Sequence, residues 1–242
     1  MTFNNIHMIV PLYNRGDDFI KLLENLKYIY CKIWVCDFGS TDIDITKEDT
    51  FPRKFNSIKL NETFNWAKGI ETVVRTQELL QCEDAIIVML DADTVFDDPI
   101  KTLTEIKEKT IRNKTFYAPN IGTEDRPNPN KNTIWKTEFN GKVWVPLESI
   151  PMRERRGFGF CAVHRTDYVL SGGFKDSDFM GERGQFWGQA DTFILQKLQM
   201  NQLAPVRPIL SNVWLRSNNR DRKERWYSKL DDRPCYVKNM SN

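Results

Sequence analysis

Through its first hundred residues the chain alternates short β-branched runs with stretches whose apolar positions recur every three or four residues. Ile6 to Leu12 (IHMIVPL) is a compact apolar run, and Asp17 to Leu26 then places Phe19, Ile20, Leu22, Leu23 and Leu26 at helical spacing. Lys32 to Cys36 (KIWVC) predicts a second buried strand. It runs directly into Asp37-Phe38-Gly39-Ser40-Thr41-Asp42, a cluster of turn formers and side-chain acceptors. Ser57 to Leu60 predicts a third strand and Phe64 to Leu80 a helix. Ala85 to Leu90 (AIIVML), the most apolar run in the chain, predicts a fourth strand that ends in Asp91-Ala92-Asp93. This alternation builds an α/β fold with a Rossmann-like, mostly parallel central sheet flanked by helices. Ligands of such sheets gather beyond the carboxyl ends of the strands, where Asp37 and Asp91 both fall.

The second half reads as a helix from Pro99 to Lys109, a strand from Thr115 to Ala118, and a Pro- and Asn-rich loop from Thr123 to Asn132. Arg156 to His164 is apolar and interrupted by glycine. Arg165 to Leu170 predicts a helix, Ser171 to Phe174 a turn, Gly181 to Gly188 a polar loop, and Ala190 to Met200 a helix. With no internal repeat and no linker composition, the pattern predicts one domain over residues 1–242.

Composition narrows the class. The chain has 242 residues, of which 40% are hydrophobic and 28% charged, which suits a globular fold and excludes a disordered one. A formal net charge of +2 does not announce a nucleic-acid binder, but basic residues outnumber acidic ones from Arg216 to Lys229, a stretch that also holds Trp226 and Tyr227. It suits contacts with phosphate or sugar, or equally a solvated tail. Five scattered cysteines without CxxC spacing argue against a disulfide framework and a zinc site. No apolar run approaches the ~20 residues of a membrane span. The expectation is a cytoplasmic protein, unless the chain is a piece of a membrane-anchored one. His7, inside the first strand, reads as a core histidine.

Asp91 and Asp93 carry the first chemical signal. Two carboxylates one residue apart, just after a buried strand, lie in a turn where both can face one cavity. Oxygen ligands of this kind suit magnesium or manganese, whose shell is completed by substrate phosphate and water, so a nucleotide diphosphate is the natural third party. Alone, the pair equally suits a helix cap and a solvated acid.

The neighbouring blocks decide how the pair is read. IHMIVPLYNR at 6–15, FNWAKGIE at 64–71, VMLDADTVF at 88–96, FYAP at 116–119, RGFGFCAVHRTDYVLSGGF at 156–174 and FWGQADTFILQKL at 186–198 follow in order. This series resembles the family-2-like glycosyltransferases of the GT-A fold. The resemblance is closest to the chondroitin synthase and N-acetylgalactosaminyltransferase group and the β-1,4-galactosyltransferases, and covers nearly the whole chain. It implies an inverting, metal-dependent transfer from a nucleotide-diphosphate sugar, UDP-linked by the same likeness, to a hydroxyl acceptor such as a glycan. Residues 1–98 would then bind the donor, 99–215 the acceptor, and 216–242 form a basic C-terminal segment.

Carried over residue by residue, the resemblance implies that Pro11, Arg15, Asp37, Phe64 and Lys68 line the donor pocket, that Asp91 touches the ribose and shares the metal, and that Asp93 holds Mn2+ or Mg2+. Trp187 and Gly188 would meet the acceptor. An acidic pair follows this Trp-Gly in the related enzymes, and here it reads Ala190-Asp191, so Asp191 stands as the general base. Where the relatives bring a further histidine to the metal, this chain reads Leu210-Ser211-Asn212-Val213-Trp214, which implies Asn212 as the substitute ligand. Two departures, Ala190 and Asn212, leave open a nucleotide-sugar-binding protein without catalysis. The basic C-terminal stretch leaves open a modified base of a nucleic acid as acceptor.

Overall fold

The computed structural model describes residues 2–119, 122–123, 160–174, 190–208 and 212–216. Among the described residues ten strands run in chain order as β1 (Thr2–Leu12), β2 (Tyr30–Asp37), β3 (Asn56–Lys59), β4 (Ile86–Leu90), β5 (Thr94–Phe96), β6 (Thr115–Tyr117), β7 (Gly122–Thr123), β8 (Phe160–His164), β9 (Ala204–Val206) and β10 (Val213–Leu215). The described helices are α1 (Gly16–Asn25), α2 (Trp66–Val74), α3 (Gln77–Leu80), α4 (Pro99–Lys109), α5 (Arg165–Leu170) and α6 (Ala190–Met200).

Seven strands form the main sheet in the order β3-β2-β1-β4-β8-β6-β9, and β5-β10-β7 form a small second sheet. β3, β2, β1 and β4 are mutually parallel, as the alternation of strand and helix predicts, whereas β8 lies antiparallel between β4 and β6. The antiparallel insertion is the main departure from the expected sheet. The other is the helix expected over 64–80, which divides at Arg75 and Thr76. Thr76 takes extended backbone and its hydroxyl accepts from the Leu79 N–H at 3.4 Å, so a helix stop and a new cap occupy neighbouring residues.

The central strands are buried on both faces, and residue parity assigns each side chain to its layer. Met8, Val10 and Leu12 of β1, with Ile33 and Val35 of β2, pack against Phe19, Leu22 and Leu23 of α1 and Leu103 and Ile106 of α4. Ile9, Trp34, Ile87 and Met89 face the opposite layer, against Ile70 and Val73 of α2 and Ile194, Leu195 and Leu198 of α6. A strand covered on both faces has no polar alternation, which is why AIIVML reads as an unbroken apolar run.

Gly69 is where α2 meets the end of β1. A Cβ there would lie 2.9 Å from Pro11 Cβ and 3.1 Å from both Pro11 Cγ and Phe38 Cε2, against a rigid ring on one side. Gly69→Ala gains helix propensity of at most ~1 kcal/mol but forces the helix off the sheet. The net expectation is a loss of about 1–2 kcal/mol in denaturant unfolding.

His7 is the core histidine the sequence suggests. It is fully buried, and its Nδ1 accepts from the indole N–H of Trp34 at 3.2 Å, so the neutral ring carries its proton on Nε2. Burial first, and then the charge of Lys32 in the facing register, lower its pKa from 6.5 to about 4. Between those values the unfolded chain takes up a proton that the folded chain refuses. Stability is therefore full above pH 6.5, falls as pH drops towards 4, and levels off below. His7→Gln, which keeps an acceptor for the indole, should remove about 2–3 kcal/mol of the difference in unfolding free energy between pH 7 and pH 4.5.

Among the described residues no helix is long and apolar enough to cross a membrane.

Candidate active site

The sheet order turns around between β1 and β4: from β1 the chain passes to β2 on one side and later returns to β4 on the other. This is the switch point at which open α/β sheets bind ligands, beyond the carboxyl ends of their strands. Leu12 stands beside Asp37 and Ile9 beside Met89, so β1, β2 and β4 all release their loops at one edge.

Two of these loops brace each other. Asn14, held at φ 49°, donates its N–H to Ser40 Oγ at 3.0 Å, and its Oδ1 accepts from Thr41 N–H at 2.9 Å. Gly16 N–H donates to Asp42 Oδ2 at 2.9 Å. Asp37 sits beneath them, 1% exposed, with Oδ1 accepting from Ser40 N–H at 3.0 Å and Ser40 Oγ at 2.5 Å. Its carboxylate thus fixes the turn that follows β2. Beside the turn, Phe64 packs edge-on against Phe38 at 5.2 Å and lies roughly parallel to Tyr13 at 6.2 Å, and Tyr13 stays 41% exposed. A partly open aromatic wall results, with Pro11 behind it against Gly69. Lys68, at the start of α2, is paired with Glu62.

At the end of β4 the two acids share one tight turn. Asp91 C=O accepts from Thr94 N–H at 3.1 Å and Thr94 Oγ1 at 2.7 Å, which puts Asp91 at its first position and Asp93 at its third. Across the switch point, Arg15 Nη1 lies 3.1 Å from Asp18 Oδ2 and 3.9 Å from Asp93 Oδ2. Asp18, almost fully buried in the first turn of α1, steadies the guanidinium between β1 and β4. Among the described residues no three His, Cys, Asp or Glu side chains converge as a ready-made metal cage. Two carboxylates in one turn nevertheless match a magnesium or manganese site that relies on substrate oxygens for the rest of its shell.

This architecture recurs in solved structures. A mannosyltransferase from Pyrobaculum calidifontis, solved with GDP-Man and Mn2+, superposes with a TM-score of 0.61 at 16% identity, covering 89% of this chain and 57% of that one. S. aureus TarS 1–349 in complex with UDP superposes with a TM-score of 0.56 at 12% identity, covering 93% and 63%. The chain has the GT-A glycosyltransferase fold.

Sequence kinship points the same way. Human chondroitin sulfate N-acetylgalactosaminyltransferase 1 is 24% identical over 238 residues, 86% of this chain and 40% of its own length. Human chondroitin sulfate synthase 3 is 22% identical over 218 residues, 84% of this chain and 23% of its own. The chain therefore spans less than half the length of these curated relatives. No protein-family model matches it.

Within the GT-A fold, Pro11, Arg15, Asp37, Phe64, Lys68, Asp91 and Asp93 gather on or beside the loops at one sheet edge. Asp191 lies in the first turn of α6, and of its side chain nothing is described; Trp187 and Gly188 lie outside the described residues. Asn212 pairs further along the small sheet. Its C=O accepts from Asp97 N–H at 2.8 Å, four residues along from Asp93, or about 13 Å at strand rise. The residue opposite Asp93 is Arg216, whose N–H donates to Asp93 C=O at 2.9 Å. Sequence blocks place an element without fixing its register, and here a slip of a few residues decides which side chain reaches the turn. Tyr13, which lies in the first block without an implied role, and Asp18, which lies in none, also flank this edge, and Tyr13 stands out as the exposed aromatic directly after a buried strand.

Proposed function

We propose that the chain is an inverting, metal-dependent glycosyltransferase that moves a sugar from a UDP-linked donor to a saccharide hydroxyl. The observation that carries this reading is the approach of Arg15 to Asp93 across the switch point, which joins a cation from β1 and the acidic turn of β4 in one GT-A cleft. The exposed face of Tyr13, backed by Phe64, suits a nucleobase. The loop shaped by Asp37 and Ser40 closes the nucleoside side, and Asp91 suits a ribose hydroxyl. Sequence kinship with chondroitin-type transferases supports a UDP-linked donor and a saccharide acceptor, and the manganese in the mannosyltransferase complex supports a divalent cation.

Asp91 and Asp93 would hold Mn2+ or Mg2+, which when bound offsets the negative charge that gathers on the leaving diphosphate. Asp191 accepts the proton of the acceptor hydroxyl as its oxygen attacks the anomeric carbon from the face opposite the diphosphate. The anomeric C–O bond breaks, its electron pair leaves with the nucleoside diphosphate, and the configuration inverts. α6 suits this role because Ile194, Leu195 and Leu198 anchor it in the buried core.

The test is a thermal-shift screen of UDP- and GDP-sugars with Mn2+ or with EDTA, followed by transfer assays on chondroitin-type oligosaccharides. A melting temperature raised by UDP-sugars and chiefly in Mn2+ is expected, because a ligand of the native state alone stabilises it. No rise with any nucleotide sugar would refute the proposal.

A further inference from the structure

β10 runs antiparallel to β5 with Leu215 opposite Thr94, so the next pair is Arg216 and Asp93, joined by the 2.9 Å hydrogen bond from Arg216 N–H to Asp93 C=O. Directly opposed residues on antiparallel strands share a face, which starts the Arg216 side chain on the side of the acidic turn. Arg216 is half-buried, and its Nη1 is shielded from water with no hydrogen-bond partner among the described residues. Arg15 approaches Asp93 from the other side of the cleft.

A guanidinium nitrogen removed from water without an acceptor is costly, and the cost is recovered when an anion arrives. The cleft's charges indicate which anion. Asp91 and Asp93 carry two negative charges, Arg15 and Arg216 two positive ones, and a divalent cation with the doubly charged diphosphate of a nucleotide sugar adds zero. These four groups sum to zero when empty and still sum to zero when both enter together, whereas either one alone would bury two units of net charge.

We propose that Arg216 binds the donor's diphosphate, donating from Nη1 to a phosphate oxygen beside the Asp91–Asp93 turn. The assignment rests on the donor-site reading above and deepens it. The first residue of the basic C-terminal stretch then supplies a fixed positive charge beside the acidic turn. Part of diphosphate binding therefore does not depend on metal.

The experiment is calorimetric titration of the full chain with UDP, uridine and inorganic pyrophosphate, in Mn2+ and in EDTA, for wild type, Arg216→Ala, Arg216→Gln and Arg216→Lys. Arg216→Ala and Arg216→Gln should weaken UDP and pyrophosphate by about tenfold or more, the usual effect of losing a charge-assisted hydrogen bond, and leave uridine unchanged. The affinity for UDP that remains in EDTA should vanish in both, while Arg216→Lys keeps part of it. A merely structural role would weaken uridine as much as UDP. Melting temperatures identify a variant that fails to fold, and the remaining substitutions then give the reading. Wild-type UDP binding matched by Arg216→Gln or Arg216→Ala overturns the Arg216 assignment alone. A wild-type chain that binds neither UDP nor pyrophosphate in either buffer overturns the donor-site reading and this assignment with it.

Discussion

Asp93→Ala should abolish the manganese-dependent part of nucleotide binding and leave the protein folded. The fold tolerates the change because the turn is held by backbone that alanine keeps: Thr94 bonds to Asp91 C=O, and Arg216 N–H to Asp93 C=O. The side chain contributes a partly exposed ion pair with Arg15 at 3.9 Å, worth at most about 1 kcal/mol. Binding responds quite differently, because a magnesium- or manganese-type site with two carboxylates loses half its protein ligands. Residues that merely support a metal ligand cost 10- to 100-fold when removed, so loss of a ligand itself should exceed roughly 10²-fold in Mn2+. UDP affinity measured with Mn2+ and with EDTA decides the matter. Wild-type and variant values should coincide in EDTA and separate in Mn2+, and an unchanged response to manganese would remove Asp93 from the site.

Asp191→Asn should keep donor affinity and reduce transfer by about 10²-fold or more, the contribution of a positioned general base. Asparagine preserves shape and hydrogen bonding but does not take the acceptor's proton. On the proposed reading the donor is held elsewhere, by groups on the loops of β1, β2 and β4. A purely structural acid in the first turn of α6 predicts the reverse pattern: a stability loss of a few tenths to about 1 kcal/mol and nearly normal turnover. Transfer rate and UDP-sugar affinity measured on the same variant separate the two outcomes.

The donor half of the site is legible in the sequence because its chemistry sits where local patterns end. Strands covered on both faces, such as KIWVC and AIIVML, leave long apolar runs, and the polar residues that interrupt them fall at the carboxyl edge where ligands bind. Arg15, Asp37 and the Asp91–Asp93 turn are visible for that reason, whereas the helix break at Thr76 is not, because the apolar spacing runs straight through it. β5 and β10, of three residues each, are too short to show a period, and the direction of β8 leaves no trace in composition. Asn212 and Arg216 differ by four positions in a stretch whose pairing local pattern does not specify.

By itself, then, the sequence determined the α/β alternation, the double-sided burial of the central strands and the acidic turn, since each is written in the local order of apolar and polar residues. Only the tertiary structure decided which distant residues share the cleft. The pairing of β5 with β10 brings Arg216 rather than Asn212 to Asp93, and the turnaround between β1 and β4 sets Arg15 across from the same carboxylate. Strand direction and register arise from hydrogen bonds between segments distant in the chain, more than a hundred residues apart for β5 and β10, and a one-residue slip moves every side chain to the other face.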